Sequence, residues 1–147
     1  MIARRLPLVA ALAAGVVVAG CGSASPSPAE VAAVKRTVQV ALADLAGGHG
    51  RAFCGLATPA ERTRLRRQLA RPSCAAAMDA VSAGLSPLHR QALLHASVQA
   101  VRITAGRASV SSANITSSQG ALDGFLDDGG DPTTLSRQRN GHWKISG

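Results

Sequence analysis

Aromatic side chains and acidic residues are both scarce in this sequence. One Trp, two Phe and no Tyr are present, so almost no flat ring is available on which a nucleic-acid base or a sugar could stack. The sequence has only 8 Asp and Glu residues but 16 Lys and Arg residues, which gives a net charge of +8. The core must therefore be built from Ala, Val, Leu and Ile. The excess of positive charge favours anionic partners such as nucleic acid, lipid headgroups or cell-wall polymer.

The sequence also lacks the motifs of several enzyme and metal-binding classes. It has no Gly-x-Ser-x-Gly nucleophile motif, no Walker phosphate loop and no dinucleotide fingerprint. The histidines show no His-x-x-x-His metal spacing, and each is interpreted as a surface residue. They are His49, His89, His95 and His142. We therefore assign no catalytic residue, no cofactor and no metal site.

Half of the acidic residues fall in one glycine-containing segment near the C-terminus. They are Asp123, Asp127, Asp128 and Asp131. Carboxylates in such a loop are the ligands that calcium prefers, but their spacing does not match an EF-hand loop and no Glu completes the set. Turn formation is therefore the preferred interpretation of these aspartates.

The first 20 residues have the three parts of a secretory signal peptide. Residues 1–5 are short and basic, and residues 6–18 are apolar but fall short of the ~20 residues that a membrane span needs. Removal of this leader leaves 147 − 20 = 127 residues, which is enough for a single core. Since Arg4 and Arg5 leave with the leader, the net charge becomes 8 − 2 = +6.

The end of the leader reads Val18-Ala19-Gly20-Cys21 and resembles the lipobox of bacterial lipoproteins. The resemblance implies cleavage after Gly20, diacylglycerol on the sulfur of Cys21, and anchoring at the extracytoplasmic face of the cell membrane. An ordinary signal peptide with a chance Cys and an uncut anchor are the alternatives. Residues 21–27 are rich in Ser, Pro and Gly and predict a flexible tether. Because an exported protein rarely meets nucleic acid, we expect lipid or envelope components as partners instead.

Two cysteines, Cys54 and Cys74, remain once Cys21 is set aside. An even number of cysteines in an exported chain predicts a disulfide, which would stabilise the fold by ~3 kcal/mol. Two buried thiols or a redox pair are the alternatives, but no Cys-x-x-Cys motif supports redox chemistry.

Helical spacing dominates the first half of the folded part. A capping box from Ser27 to Glu30 begins a helix over 28–46. A short helical turn is predicted at 51–56. A second capping box, Thr58 to Glu61, begins a helix to about residue 70. A further helix is predicted from Ser73 to Gly84, and Ser86-Pro87 is predicted to begin another short turn.

In the second half, apolar and polar residues alternate in the way that is typical of strands. Residues 96–104 and 108–115 read as strands around an Ala105-Gly106 turn, which would pair Ile103 with Ala108. The same register pairs Val98 with Ala113 and Ala96 with Ile115. These two apolar pairs lie on the face of the hairpin opposite to that of Ile103 and Ala108, and both strands switch faces at the same point along the hairpin. We therefore expect a bulge or strong bend that brings the apolar residues to one core.

A last hairpin is predicted from residues 133–139 and 142–146, which flank Asn140-Gly141. A two-residue turn would place Leu135 on the face opposite Trp143 and Ile145, whereas a three-residue loop would place Leu135 beside Ile145. Both registers stay open. The sequence thus predicts an α+β fold, with N-terminal helices packed on a curved antiparallel sheet of about four strands, in one domain over 28–147.

This element order resembles the NTF2-like superfamily, in particular the small NTF2-like domains of actinobacterial lipoproteins. The resemblance covers residues 28–147. It rests on the hairpin segment over 101–110 and on the final strand Gly141-His142-Trp143-Lys144-Ile145. It implies a cone-shaped fold with an apolar mouth. Some members are isomerases or dehydratases and others bind ligands. The enzymes place Asp, His or Tyr inside the cone, and this sequence has no Tyr.

Three functions are compatible with these patterns. The preferred one is a membrane-anchored binding or interaction module of the cell envelope, which takes a small apolar ligand or another protein. An isomerase or dehydratase is the second, and a structural envelope protein without a ligand is the third. An apolar cavity favours binding, a buried Asp or His favours catalysis, and the lack of a cavity favours the third.

The predicted helix after Thr58 is crowded with arginines. Arg62, Arg66 and Arg67 fall on nearby turns and are a candidate contact for anionic lipid or polymer. The alternative interpretation is a solvated helix face with no partner.

Overall fold

The computed structural model describes residues 25–120, 122 and 132–147. The predicted leader over 1–20, the predicted lipidation site Cys21 and the aspartate cluster over 123–131 lie outside the described residues. The expectations that rest on them therefore stay predictions.

Five helices form the first half of the described chain: α1 (Pro28–Gly47), α2 (Gly50–Leu56), α3 (Pro59–Gln68), α4 (Cys74–Ala83) and α5 (Pro87–Leu94). Four of them begin at a Ser or Thr whose side-chain oxygen accepts a hydrogen bond from a backbone N–H of the first turn, and in three the next residue is Pro. Proline at this position has the required φ and no N–H to leave unsatisfied. Local signals thus set the starts of these four helices.

The capping box of α1 is complete. The Ser27 side chain accepts from the Glu30 N–H, and the Glu30 carboxylate accepts from the Ser27 N–H at 3.1 Å. This backbone hydrogen bond from Ser27 is the main cause that lowers the pKa of Glu30, with help from Arg137 on the last hairpin. The start of α1 is therefore joined to the C-terminal part of the chain by the Arg137–Glu30 ion pair of 2.8 Å.

The predicted second capping box is wrong in one half. Thr58 does accept from the Glu61 N–H, but the Glu61 carboxylate does not return to the backbone of Thr58. It pairs instead with Arg64, one turn further along α3. A charged guanidinium is a stronger donor than a backbone N–H, so the Glu61 carboxylate accepts hydrogen bonds from Arg64 and not from Thr58.

Six strands follow: β1 (Ala96–Val98), β2 (Arg102–Thr104), β3 (Arg107–Val110), β4 (Ile115–Ser117), β5 (Thr133–Arg137) and β6 (Trp143–Ile145). Strands β2, β3, β5 and β6 form an antiparallel four-stranded sheet in the order β2-β3-β5-β6, and β1 pairs with β4 in a separate antiparallel ribbon. The predicted fold class is confirmed, because helices pack on an antiparallel sheet of four strands.

The predicted bend lies between the ribbon and the sheet. Ile103 pairs with Ala108 as expected, but Val98 pairs with Ile115 and Ala96 pairs with Ser117. The predicted pairings of Val98 with Ala113 and Ala96 with Ile115 are therefore wrong by two residues. A 3-10 turn at Ser112–Asn114 takes up the difference. Val98 and Ile115 are both buried in the same core as the sheet, which is what the phase change requires.

The last hairpin adopts the three-residue loop. Leu135 pairs with Ile145 and Arg137 with Trp143, so that Leu135, Trp143 and Ile145 share one face. All three are buried. Gly141 has a φ of 83°, a conformation that glycine adopts at little cost and that closes loops of this length. Burial of all three side chains selects this register over the two-residue turn.

The core lies between α1 and the inner faces of the sheet and ribbon. Val34, Val38 and Leu42 of α1 belong to one cluster with residues of β3, β5 and β6. A smaller cluster surrounds the Cys54–Cys74 disulfide, which joins α2 to the start of α4. The predicted disulfide is thus present in the structure. None of the helices in the described part of the chain has the length and apolar character that a membrane crossing requires.

Arg90 of α5 connects the ends of two other helices. Its guanidinium donates to the carbonyl oxygen of Ala46, in the last turn of α1, and to that of Ser82, in the last turn of α4, at 2.9 Å. Neither helix has a basic residue in its own last turn. A cation placed there satisfies carbonyls that lack helical partners and complements both helix dipoles.

Candidate ligand-binding site

A cavity of about 610 Å³ opens beside α1, between the helices and the edge of the sheet. This volume falls within the range of about 300–1,000 Å³ that small-molecule sites occupy. Most of its wall is aliphatic or aromatic. The apolar side chains of the wall are Val38, Ala41, Leu42, Leu45, Phe53, Ile115, Pro132 and Ile145.

The apolar wall follows from the periodicity of α1. Val38, Ala41, Leu42 and Leu45 are three or four residues apart, so they form one stripe on the helix. The inner part of the stripe is buried, while Leu45 is only partly buried. Part of this stripe therefore faces the cavity and not only the core.

Phe53 supplies the aromatic ring of the wall. It lies on α2 and is partly buried. The next residue, Cys54, forms the disulfide with Cys74 on α4. The covalent bond fixes α2 against α4, and this keeps the Phe53 ring at the edge of the cavity. The disulfide thus stabilises the site as well as the fold.

One ion pair lies among the lining residues. Arg64 donates to both oxygens of Glu61, from Nε at 2.7 Å and from Nη2 at 2.5 Å. Its third nitrogen donates to the side-chain oxygen of Gln68 at 2.9 Å. Glu61 is only 3 % exposed, and the hydrogen bonds to it raise the pKa of Arg64 above its usual value. The carboxylate is therefore neutralised in place by a partner that stays charged.

This arrangement offers no free acid or base to a ligand. Both oxygens of Glu61 are occupied by Arg64, and no Asp or His is found among the described side chains that line the cavity. Thr133 and Thr134 add hydroxyl groups at the end of the wall formed by β5. The cavity can bury an apolar molecule and satisfy a polar group at one end. Within the described lining, no unpaired carboxylate or imidazole is available for proton transfer.

The arginines singled out in the sequence lie elsewhere. Arg62, Arg66 and Arg67 are exposed on α3, and no ion pair involves them among the residues that the structure describes. Arg66 and Arg67 occupy the last turn of α3, where positive charge complements the helix dipole. This gives them a structural role that requires no ligand, so the contact with anionic lipid or polymer stays a prediction.

Sequence reasoning missed the residues that give this cavity its polar end. Glu61 was interpreted only as a capping residue, and Arg64 only as one of a group of arginines. A spacing of three residues between a Glu and an Arg on one helix is a usable signal for an ion pair. It does not reveal that the carboxylate is buried, because burial depends on the tertiary packing around α3.

No arrangement of three or more His, Cys, Asp or Glu side chains that could hold a metal ion is found within the described residues. Comparisons of the chain with protein-family models, with curated proteins and with solved structures yield no significant match.

Proposed function

We propose that this protein is a binding module without catalytic activity, which takes a small apolar ligand into the cavity beside α1. The observation that carries the proposal is the chemistry of the lining: an aliphatic wall with a single ion pair whose charges already satisfy one another. Burial of apolar surface contributes about 25 cal/mol per Å², so such a wall favours an apolar molecule. An isomerase or dehydratase would instead need an unpaired carboxylate or imidazole in the cavity.

The same proposal places the protein at the extracytoplasmic face of the cell membrane, held by lipid on Cys21. The resemblance of Val18-Ala19-Gly20-Cys21 to a lipobox supports it. The tether over 21–27 is seven residues long and reaches at most about 24 Å when fully extended. A module on so short a tether stays close to the bilayer, which is a source of apolar molecules. An acyl chain with a small polar end is the ligand that best fits the wall and its hydroxyl groups.

Ligand binding is tested by filling the cavity from α1. Leu45→Trp places a larger side chain in the wall, and the affinity for dodecanoate or for the dye 1-anilinonaphthalene-8-sulfonate should fall about tenfold, which corresponds to 1.4 kcal/mol. Val40→Trp is the matched control, since Val40 lies on the same helix and is 42 % exposed. The affinity of the Val40→Trp variant for either probe should equal that of the natural sequence. If the natural protein binds neither probe, or if both variants bind equally well, the cavity is not a ligand site.

Anchoring is tested separately by mass spectrometry of the N-terminal peptide from bacterial membranes. The peptide should begin at Cys21 and carry acyl groups, and the Cys21→Ser variant should be released or left unprocessed. A mature peptide with an unmodified Cys21 would exclude the lipoprotein assignment and leave the ligand proposal unaffected.

A further inference from the structure

The outward face of the four-stranded sheet has an unusual composition. Strand register places eight positions on this face, and each is either a hydroxyl residue or a basic residue. They are Arg102, Thr104, Arg107, Ser109, Thr134, Ser136, Lys144 and Ser146. No apolar and no acidic side chain interrupts the set. The opposite face of the same strands carries buried residues of the core, such as Ala108 and Leu135.

The positive charges on this face have no acidic neighbours on the sheet. The sequence contains no Asp or Glu over 96–120 or over 132–147. Arg102 and Arg107 are exposed and lie on adjacent strands as diagonal neighbours, since Arg102 pairs with Ser109. Diagonal neighbours are typically about 7–8 Å apart. Neither arginine forms an ion pair within the described part of the chain, so two like charges stand close together without compensation.

The face is also a groove and not a flat surface. A depression of about 540 Å³ runs over Arg102, Arg107 and the hydroxyl residues, and the start of α3 at Thr58 and Ala60 forms its side. Some of the hydroxyl groups are held in position by neighbours. Thr134 Oγ1 lies 3.3 Å from Ser146 Oγ, and Gln138 donates to Ser136 Oγ at 3.0 Å.

We propose that this groove binds an extended phosphate-bearing polymer of the cell envelope. Arginine matches the oxygens of a phosphate with two parallel hydrogen bonds, and Ser and Thr hydroxyls are common further donors to phosphate. The same hydroxyls can accept hydrogen bonds from a polyol backbone. Among the described residues that line the groove there is no aromatic ring for stacking on bases or sugars. The apolar residues of the lining are Ala60, which is small, and Ala108 and Leu135, which are buried, so no large exposed apolar side chain is available to enter a bilayer. The combination fits the backbone of a hydrophilic polyanion better than it fits a nucleobase or a membrane surface.

This site is distinct from the apolar cavity, although Thr134 of β5 lines both. The other strand residues differ, since Ile145 lines the cavity and Ser136 and Ser146 line the groove. A protein that failed to bind dodecanoate could still bind the polymer, and the converse also holds.

The test uses long-chain sodium polyphosphate as the probe and the chain from Gly22 onward, which keeps every described helix and strand and the disulfide. The affinity should fall at least about tenfold in Arg102→Gln/Arg107→Gln, and the dependence of log K on log salt should become shallower by about 0.7–0.9 for each lost contact. The matched control is Arg36→Gln/Arg51→Gln on α1 and α2, which removes the same charge from exposed positions outside the groove and should lower the affinity less than about twofold.

A second variant separates recognition from attraction by charge. Ser109→Ala/Ser136→Ala leaves the charge unchanged and should weaken binding about two- to fivefold through lost hydrogen bonds. Vesicles of phosphatidylglycerol and phosphatidylcholine are the second probe, and they test binding to a membrane surface. The proposal is overturned if polyphosphate does not bind, or if the two double arginine variants lose affinity for polyphosphate to the same extent. It is also overturned if the hydroxyl variant binds like the natural sequence, or if only the vesicles respond to Arg102 and Arg107.

Discussion

Removal of the Arg90 charge tests whether one guanidinium holds the ends of α1 and α4 against α5. In Arg90→Met the aliphatic stem stays, while the hydrogen bonds to the carbonyl oxygens of Ala46 and Ser82 are lost. Hydrogen bonds from a charged donor contribute about 1.5–3 kcal/mol each, and a cation at a helix C-terminus adds about 0.3–1 kcal/mol. Because Arg90 is only partly buried, the lower ends of these ranges apply. We expect the free energy of unfolding to fall by about 3–4 kcal/mol.

This loss is a large fraction of the 5–15 kcal/mol that holds a domain of ordinary stability together. It should lower the Tm by about 12–16 °C for a chain of this length. Urea unfolding can be followed through Trp143, because the sequence has no other Trp and no Tyr. Trp143 is 5 % exposed, so its emission should move to longer wavelength as the core opens.

Two further substitutions complete the Arg90 experiment. Arg90→Lys should be intermediate, since an ammonium group lacks the planar fork that reaches both carbonyls. Arg102→Met is the control, because Arg102 is exposed and forms no ion pair in the described part of the chain; its change should stay within about 0.5 kcal/mol. If Arg90→Met costs no more than this control, Arg90 does not hold the helix ends and the reasoning is wrong.

Three other outcomes are expected. Replacement of Cys54 and Cys74 by Ser should lower the free energy of unfolding by about 3 kcal/mol in the chain-entropy model, because the disulfide closes a loop with a sequence separation of 20; an unchanged urea midpoint would contradict this. Ala105 has a φ of 47°, a conformation that Asn adopts more readily than Ala. Ala105→Asn should therefore stabilise the protein by up to about 1 kcal/mol. A lower Tm for this variant would exclude the turn geometry. The pKa of Glu30 is lowered by the hydrogen bonds at the start of α1, so its contribution is present above its ordinary value of 4.5 and is lost as the pH falls through the lowered pKa. In Glu30→Gln the stability should depend less on pH in that acidic range, and an identical pH profile would show that the capping box does not act through this carboxylate.

Much of the fold could be predicted from the sequence because its signals are local. The caps Ser27 and Ser73 each begin a helix where expected, since a Ser oxygen needs only the next turn of its own helix to form its hydrogen bond. Ser86 begins the helix α5 where only a short turn was expected. The Ala105-Gly106 turn sets the pairing of β2 with β3 in the same way. The disulfide was expected because two cysteines remain once Cys21 is set aside in a chain taken to be exported, and the structure places it within the small cluster between α2 and α4.

The candidate site was less accessible to prediction. The stripe on α1 was visible as a periodic pattern, but a periodic pattern does not distinguish a wall that faces a cavity from one that faces the core. Leu45 and Phe53 stay partly exposed at that boundary because no described strand covers them fully. The proposal of binding in place of catalysis likewise relies on a contact that only the folded chain shows, since both oxygens of Glu61 accept hydrogen bonds from Arg64.

What the sequence determined by itself were the features that arise within a few residues of one another. These are most of the helix starts, the Asn-Gly hairpin, and the paucity of acidic and aromatic residues. The leader and its lipobox-like end stay predictions. Only the tertiary structure decided the register of β1 with β4, the three-residue loop that puts Leu135 beside Ile145, and the face shared by Arg102 and Arg107. The physical reason is that each of these depends on which side of a strand is buried. A shift of one residue exchanges the two sides of a strand, and the cost of burying the wrong side appears only when α1 and the sheet close on a common core.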